Sequence, residues 1–298
     1  MNCSFIVFTD LDGTLLDHHT YSFNAAIPAL AKLKNKKIPI IPNTSKTFDE
    51  LLPILQQLQL NSPFIVENGA AVYIPESFLL DLCSSKVDLL ERYTAENKIT
   101  KVILGSSAKG CYYRKAFIES RQYWLSLLED QGAEFSHLHT GFSKMSVAEI
   151  QSITGLNLEQ AQAASKREFG EPLQWHGSEA ELNQFTQQMK RVGASVVKGG
   201  RFVHVGGNSD KGRAMKWLTS FLKSNTSVAL GDGENDSSML EVADIAVQIR
   251  SESHSFPVLN RTSGVIQTTA VGPMGWNEAI DQILFSEGKA TGSKRDAF

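Results

Sequence analysis

The chain has 298 residues, of which 42% are hydrophobic and 20% charged, with 9 prolines and 22 glycines. This composition is typical of a folded protein with a sizeable core and argues against disorder, and the length suits two domains better than one. A formal net charge of −3 provides no strong field that would attract nucleic acid or an anionic membrane.

The cysteines and the apolar segments of the sequence indicate the cellular compartment in which the protein is expected. Cys3, Cys83 and Cys111 are widely spaced, so the sequence predicts neither a disulfide framework nor a structural zinc site. The first apolar run has no basic leader and soon meets Asp10, and no other run is long enough to span a bilayer. We therefore expect a cytoplasmic protein that binds neither nucleic acid nor membranes, with its oligomeric state left open.

Short apolar runs alternate with helix-like segments in the N-terminal part. The runs are FIVFTD, IPIIPNTS and PFIVENGA, and the segments between them are YSFNAAIPALAKLKNK and TFDELLPILQQLQL. This βαβαβ pattern predicts an α/β fold with a Rossmann-like parallel sheet and helices on both faces. Ligands of such sheets bind beyond the carboxyl ends of the strands.

Two carboxylates, Asp10 and Asp12, follow the first predicted strand in the segment DLDGT. Carboxylates so close together repel each other unless a cation or a shared proton lies between them, and oxygen ligands favour a hard ion such as Mg²⁺. Taken alone, the segment also fits an acidic turn, because Asp-Gly is a common turn signal.

The second predicted strand ends in Thr44, Ser45 and Lys46. A hydroxyl and backbone amides at this position can hold phosphate oxygens. Taken by itself, Thr44 fits a helix N-cap, so its assignment depends on the aspartates.

The middle of the chain has a different character. Long polar helical segments such as FIESRQYWLSLLEDQG and EAELNQFTQQMKRVG mix with the strand-like PLQWHG, ASVVKGG and RFVHVGG. We predict an inserted α+β domain over residues 82–205, within a core domain made of residues 1–81 and 206–298.

The strand and helix pattern returns near the C-terminus. DKGRAMKWLTSFLKS predicts a helix that opens with Lys211, and SVALGDGEND predicts a strand followed by Asp232 and Asp236. Two strand ends then supply one acidic cluster, in which a carboxylate can attack phosphorus once a metal and a lysine offset the phosphate charge. Taken alone, Lys211 fits an exposed helix position, so its assignment also depends on the aspartates.

The four segments DLDGT, NTS, DKG and GDGEND, in this order, resemble the motifs of phosphatases of the haloacid dehalogenase superfamily. The resemblance implies that Asp10 is the nucleophile, that Asp12 is the general acid and base, and that Thr44 and Lys211 bind the transferred phosphoryl group. It further implies Mg²⁺ as cofactor, held by Asp10, Asp12, Asp232 and Asp236.

The place of the insertion, between the Thr44 and Lys211 segments, resembles the Cof-type branch, in which an α+β cap domain selects the substrate. NTSKT, ENGAAVYIP, GFSKMSVAEIQSITGL, REFGEP and GGRFVHVGGNSDKG are similar to the mannosyl-3-phosphoglycerate phosphatases of that branch. A phosphorylated sugar derivative is therefore the expected substrate. The substrate-binding residues that the resemblance implies are Leu11, Ser45, Lys46, Glu67, Asn68, Gly69, Lys144, Arg167, Glu168, Gly200, Arg201 and Asn235.

The sequence departs from the family pattern at one place, and several other interpretations of its residues and function remain. Members of the family often carry Tyr-Ser where this chain has Phe169 and Gly170, which predicts an altered sugar preference. Arg167 and Glu168 are also compatible with a solvated ion pair. A broad sugar-phosphate phosphatase, a phosphomutase and a non-catalytic metabolite-binding module are the competing functions.

Overall fold

The computed structural model describes residues 5–83, 87–103, 110–199, 201–224 and 226–292. The strands in these ranges are β1 (Ile6–Thr9), β2 (Ile40–Pro42), β3 (Phe64–Val66), β4 (Ala71–Pro75), β5 (Thr100–Ile103), β6 (Cys111–Ala116), β7 (His139–Gly141), β8 (Gly170–Trp175), β9 (Ser195–Lys198), β10 (Val203–Gly206), β11 (Ser227–Gly231), β12 (Ile245–Arg250) and β13 (Val265–Val271).

The helices connect and cover these strands. They are α1 (Ile27–Asn35), α2 (Phe48–Gln57), α3 (Glu76–Leu82), α4 (Val87–Glu96), α5 (Arg121–Asp130), α6 (Val147–Thr154), α7 (Leu158–Ala164), α8 (Glu179–Arg191), α9 (Lys211–Phe221), α10 (Ser237–Val242) and α11 (Gly272–Gly292). Within the ranges given above, no helix has an apolar stretch long enough to cross a bilayer.

The predicted parallel sheet is confirmed. Five parallel strands lie in the order β13, β12, β11, β1, β2. The central strand β1 is buried along its whole length, because successive side chains point to opposite faces and both faces are covered. Val7 packs against α1, α2 and α11, whereas Ile6 and Phe8 pack against α9 and α10.

A second, antiparallel sheet has the order β3, β4, β6, β5. It continues from β2 through a bridge between Asn43 and Ile65. Two of its strands precede residue 82 and two follow it, so the sheet lies on both sides of the boundary drawn from the sequence. The domain limits stay a prediction.

A third sheet, with the antiparallel order β7, β8, β10, β9, forms the α+β cap. Leu173, Val203 and Val205 on one face pack against Trp124 and Phe185 of α5 and α8. The opposite face, which carries His204, lines a cleft together with Lys211 of the core. The helices α6 and α7 extend from the cap to the core, where the Thr47 hydroxyl donates to the Ala163 carbonyl at 3.2 Å.

Candidate active site

The acidic residues lie at the carboxyl edge of the parallel sheet. Asp10 directly follows β1 and Asp232 directly follows β11, and these strands are neighbours with Thr9 opposite Leu230. The Asp10 N–H continues the ladder by donating to the Leu230 carbonyl at 2.9 Å. Because parallel strands end at the same edge, residues 222 positions apart in the sequence meet here.

Asp10, Asp232 and Asp236 are buried together, with carboxylate oxygens within 4.8 Å of one another. The Lys211 ammonium donates to Asp10 Oδ1 and Asp236 Oδ1, each at 2.7 Å. Lys211 is fixed as the first residue of α9 because the Asp210 carboxylate caps that helix. One ammonium among three carboxylates leaves a negative site, which suits a further cation.

The burial of this cluster changes its protonation. Burial raises the pKa of Asp10 to about 7, against the opposing effect of Lys211. Burial also raises the pKa of Asp232, with the nearby Asp10 charge adding to the effect. Burial alone would lower the pKa of Lys211, but Asp10 and Asp236 raise it, so this lysine stays charged.

The oxygen atoms of the cluster differ in their availability. Asp236 uses Oδ1 for Lys211 and accepts the N–H groups of Asp232 and Gly233 on Oδ2 at 3.1 and 3.0 Å. Asp232 accepts the Thr14 hydroxyl on Oδ1 at 2.8 Å. Asp10 Oδ2 has no hydrogen-bond partner among the described residues. An all-oxygen set of this kind fits a hard divalent cation, with Asp10 and Asp232 as ligands and Asp236 as their support.

Asp12 lies on the turn that follows Asp10. The turn is closed by a bridge between Asp12 and Leu16, and Gly13 adopts φ 78°, where a Cβ atom would lie 2.7 Å from the Asp232 carboxylate. Asp12 Oδ2 accepts the Lys46 ammonium at 2.7 Å. Its Oδ1 is buried without a hydrogen-bond partner in the described part of the chain, so one oxygen remains for proton transfer.

The loop after β2 places Thr44, Ser45 and Lys46 beside these carboxylates. The Thr44 side chain is buried, and its Oγ1 accepts the Lys46 N–H at 3.2 Å. The turn at Glu67 and Asn68 is tied to this loop, because their N–H groups donate to the Lys46 and Thr44 carbonyls at 3.0 and 2.9 Å. We call residues 44–46 the phosphate loop below.

A cleft of about 330 Å³ lies between the cap and the core. Glu67, Asn68, Arg167, Lys211 and Asn235 line it, as does the cap face opposite α5 and α8. Other implied residues are placed nearby: Leu11 is fully buried next to Asp12, and Gly69 packs against the Asp210 carbonyl.

Arg167 and Glu168 do not pair with each other. Arg167 Nη2 donates to the Ser45 carbonyl at 3.0 Å, and its Nε lies 3.4 Å from Glu67 Oε2. Glu168 accepts the Tyr73 hydroxyl at 2.6 Å and Arg114 at 2.7 Å. Both residues therefore connect the cap to the core.

The remaining implied residues lie apart from the cleft or outside the described ranges. Lys144 lines a separate cap cavity of about 420 Å³ with His139 and Glu171. Arg201 donates to the Ile153 and Thr154 carbonyls at the end of α6. Gly200 is outside the described residues.

Sequence reasoning missed two histidines near the site. His204 lines the cleft, and burial, together with the nearby Arg167 charge, lowers its pKa to about 4. The sequence signal for His204 is its position between two buried valines of β10. Successive side chains of a strand point to opposite faces, so His204 points away from the face that carries the valines. His254 Nε2 lies 3.4 Å from Asp232 Oδ2, and it follows β12 on a loop that carries no motif.

A parallel α/β core with an acidic, lysine-containing site at its carboxyl edge, covered by an α+β cap, has the architecture of a capped hydrolase. The sequence model of the haloacid dehalogenase-like hydrolases matches residues 7–256. The chain belongs to this family, which confirms the resemblance drawn from its motifs, and it is a phosphoric monoester hydrolase.

Two relatives and one solved structure are similar over nearly the whole length. Proteins of Methanococcoides burtonii and Persephonella marina are 33% and 35% identical, covering 94% of this chain and 97% of their own. Both are described as glucosyl-3-phosphoglycerate/mannosyl-3-phosphoglycerate phosphatases. A crystal structure from Thermotoga maritima has a TM-score of 0.62 and 17% identity, covering 93% of this chain and 97% of that one. The last likeness shows the fold.

Proposed function

We propose that the protein hydrolyses the phosphate ester of a glycosyl-3-phosphoglycerate, with mannosyl-3-phosphoglycerate as its substrate and Mg²⁺ as its cofactor. The products are mannosylglycerate and inorganic phosphate. The observation that carries the proposal is the buried group of Asp10, Asp232, Asp236 and Lys211, next to a cleft that Lys211 and Arg167 line. The names of the two curated relatives support the choice of substrate.

Asp10 is the proposed nucleophile. Its carboxylate attacks phosphorus, the bond from phosphorus to the glycerate oxygen breaks, and an aspartyl-phosphate forms. Asp12 gives its proton to the departing oxygen, then removes a proton from the water that attacks the aspartyl-phosphate. Phosphate leaves and both carboxyl groups return to their starting states.

The surrounding residues of the site hold the phosphoryl group. Lys211 favours the ionised form of Asp10 and orients it through its 2.7 Å contact, and Thr44 offers its hydroxyl from the phosphate loop. Asp10, Asp12 and Asp232, with Asp236 in support, would hold Mg²⁺, which would offset the negative charge of the phosphate.

The cleft supplies contacts for the rest of the substrate. Its volume of about 330 Å³ is in the range of small-molecule sites. Arg167 provides a cation for the glycerate carboxylate, and Asn68 and Asn235 provide amides for sugar hydroxyls. Within this proposal, residues 82–205 act as the substrate-selecting cap on a core of 1–81 and 206–298, and the enzyme works in the cytoplasm.

Phosphate release by the wild type and by Asp10→Asn tests this mechanism. The wild type is expected to release phosphate from mannosyl-3-phosphoglycerate in the presence of Mg²⁺ and to stop when EDTA is added. Asp10→Asn should lower kcat by about a thousandfold or more, since an amide cannot act as the nucleophile. Asp130→Asn, on the exposed surface of α5, is the matched control. Substantial turnover by Asp10→Asn would contradict the proposed mechanism.

A further inference from the structure

Three successive cap residues, Arg167, Glu168 and Phe169, are bound directly to the core, and we call them the strap. Phe169 is buried in the same apolar cluster as Phe48 and Tyr73 of the core, with the Arg114 guanidinium 5.6 Å from its ring. This segment therefore forms a direct contact between the cap and the core.

Glu67 is the core residue that holds the backbone of the strap. Its Oε1 accepts the Glu168 N–H at 2.7 Å, and its Oε2 accepts the Phe169 N–H at 3.3 Å. Arg167 Nε lies 3.4 Å from the same carboxylate. Glu67 is buried, and a buried carboxylate is stable only where charge and hydrogen-bond donors offset its desolvation. The strap supplies both.

The backbone around Glu67 is unusual. Glu67 and Asn68 have φ values of 47° and 57°, followed by Gly69 at 89°. Two non-glycine residues in the left-handed region cost energy and persist only where surrounding contacts fix them. This conformation brings the Glu67 carboxylate to the strap. It also lets the Glu67 N–H donate to the Lys46 carbonyl of the phosphate loop.

Arg167 connects the strap to the phosphate loop from the other side. Its Nη2 donates to the Ser45 carbonyl at 3.0 Å, while the residue also lines the cleft. The position of this arginine in the cleft therefore depends on two core contacts, one at Glu67 and one at Ser45.

We propose that Glu67 is a positioning residue: it docks the strap on the core and thereby fixes Arg167 in the cleft, so that the cap and the phosphate loop reach their working arrangement together. This assignment differs from the direct substrate contact that the family resemblance implied for Glu67. The consequence for selectivity rests on the proposed function, because it requires a substrate large enough to need Arg167.

The substitution Glu67→Gln tests the docking. The amide keeps the shape of the side chain but removes its charge, and its NH₂ group must face one of the two N–H donors that the carboxylate oxygens accept. Amide hydrogen exchange of residues 168 and 169 should become faster in this variant. For mannosyl-3-phosphoglycerate we expect KM to rise about tenfold or more, and kcat/KM to fall several times further than it does for p-nitrophenyl phosphate, which is too small to need Arg167.

Glu278→Gln is the matched control. Glu278 also accepts two successive N–H groups, those of Thr269 and Ala270, but it is not part of the cleft. Its loss should affect stability without changing exchange in the strap or the ratio between the two substrates. If Glu67→Gln does not fold, Arg167→Lys, which keeps the charge and removes the paired geometry, should produce the same rise in KM.

Two results would overturn the proposal. One is unchanged exchange at residues 168 and 169 in Glu67→Gln, and the other is an equal fall in activity toward both substrates. A wild type that does not hydrolyse mannosyl-3-phosphoglycerate would refute the proposed function instead. The exchange comparison would then still decide whether Glu67 docks the strap.

Discussion

Lys211 is the cation of the buried acidic cluster. Its ammonium is fully buried and bridges two carboxylates at 2.7 Å each. Its proposed role rests on the order of the motifs, since an isolated lysine at a helix start has no such signature. At the scale of residues, short motifs predicted which core residues would lie together, and the roles of those residues stay a prediction.

Replacing Lys211 with methionine should strongly destabilise the fold. The change leaves Asp10 and Asp236 buried without their shared cation, and breaking a buried pair costs about 3–5 kcal/mol. Urea denaturation in EDTA measures the effect. Lys32→Met, which removes an exposed pair with Asp281, should cost less than about 1 kcal/mol. Similar losses in both variants would contradict this account of the cluster.

His204 should contribute a pH dependence of stability. Burial, with Arg167 adding, lowers its pKa to about 4, while the unfolded chain has an ordinary histidine pKa of about 6.5. Between these values the unfolded state binds more protons, so stability falls as the pH drops from about 6.5 toward 4, by roughly 2–3 kcal/mol at most.

Denaturation of the wild type and of His204→Gln at several pH values between 4 and 7 isolates this effect, because the other titrating groups are shared. The difference in unfolding free energy between the two proteins should shift in favour of the variant as the pH falls. A constant difference would show that His204 titrates normally.

At the scale of elements, the strongest predictions came from wholly apolar strands. FIVFTD and SVALG became the adjacent strands β1 and β11 of the parallel sheet. The helix predicted from residue 21 begins instead at Ile27. Pro28 in its first turn explains the later start, because proline is tolerated there and lacks an N–H for the helix interior.

The turn at residues 67–69 connects strand β3 to strand β4 and should be intolerant of change. A Cβ atom on Gly69 would lie 2.2 Å from the Asp210 carbonyl at the start of α9, and φ is 89°. Gly69→Ala should therefore cost several kcal/mol and reduce activity, since it displaces the helix that carries Lys211.

Gly193→Ala provides the comparison. Gly193 also has a left-handed φ, 85°, but no atom lies within 4 Å of the position a Cβ would take. At Gly193 an alanine would pay only for its left-handed backbone conformation, which costs about 1 kcal/mol. Thermal unfolding of both variants checks the difference, and equal shifts would contradict the close approach at Gly69.

At the scale of the whole molecule, the sequence located an inserted α+β cap but not the contacts that join it to the core. Glu67 and Glu168 are 101 residues apart, and no local pattern couples them. Arg201 and Lys144 were implied by resemblance alone, and the structure places them at a helix end and in a separate cavity. Side-chain position in a cap depends on tertiary packing that spacing does not encode.

Divalent cations should stabilise the whole molecule. Binding to the folded state alone adds about 2.7 kcal/mol at a hundred times Kd. Thermal unfolding with rising Mg²⁺ at constant ionic strength should give a saturable increase in Tm. Asp232→Asn should abolish most of it, whereas Asp130→Asn on α5 should retain it. An increase that survives in Asp232→Asn would place the cation elsewhere.

The most direct test of the central claim is a comparison of kcat/KM, with Mg²⁺, for mannosyl-3-phosphoglycerate, glucosyl-3-phosphoglycerate, 3-phosphoglycerate, hexose phosphates and p-nitrophenyl phosphate. We predict a preference of about a hundredfold, or roughly 2.7 kcal/mol, for a glycosyl-3-phosphoglycerate over the other esters. Weak activity of equal size on every ester would contradict it.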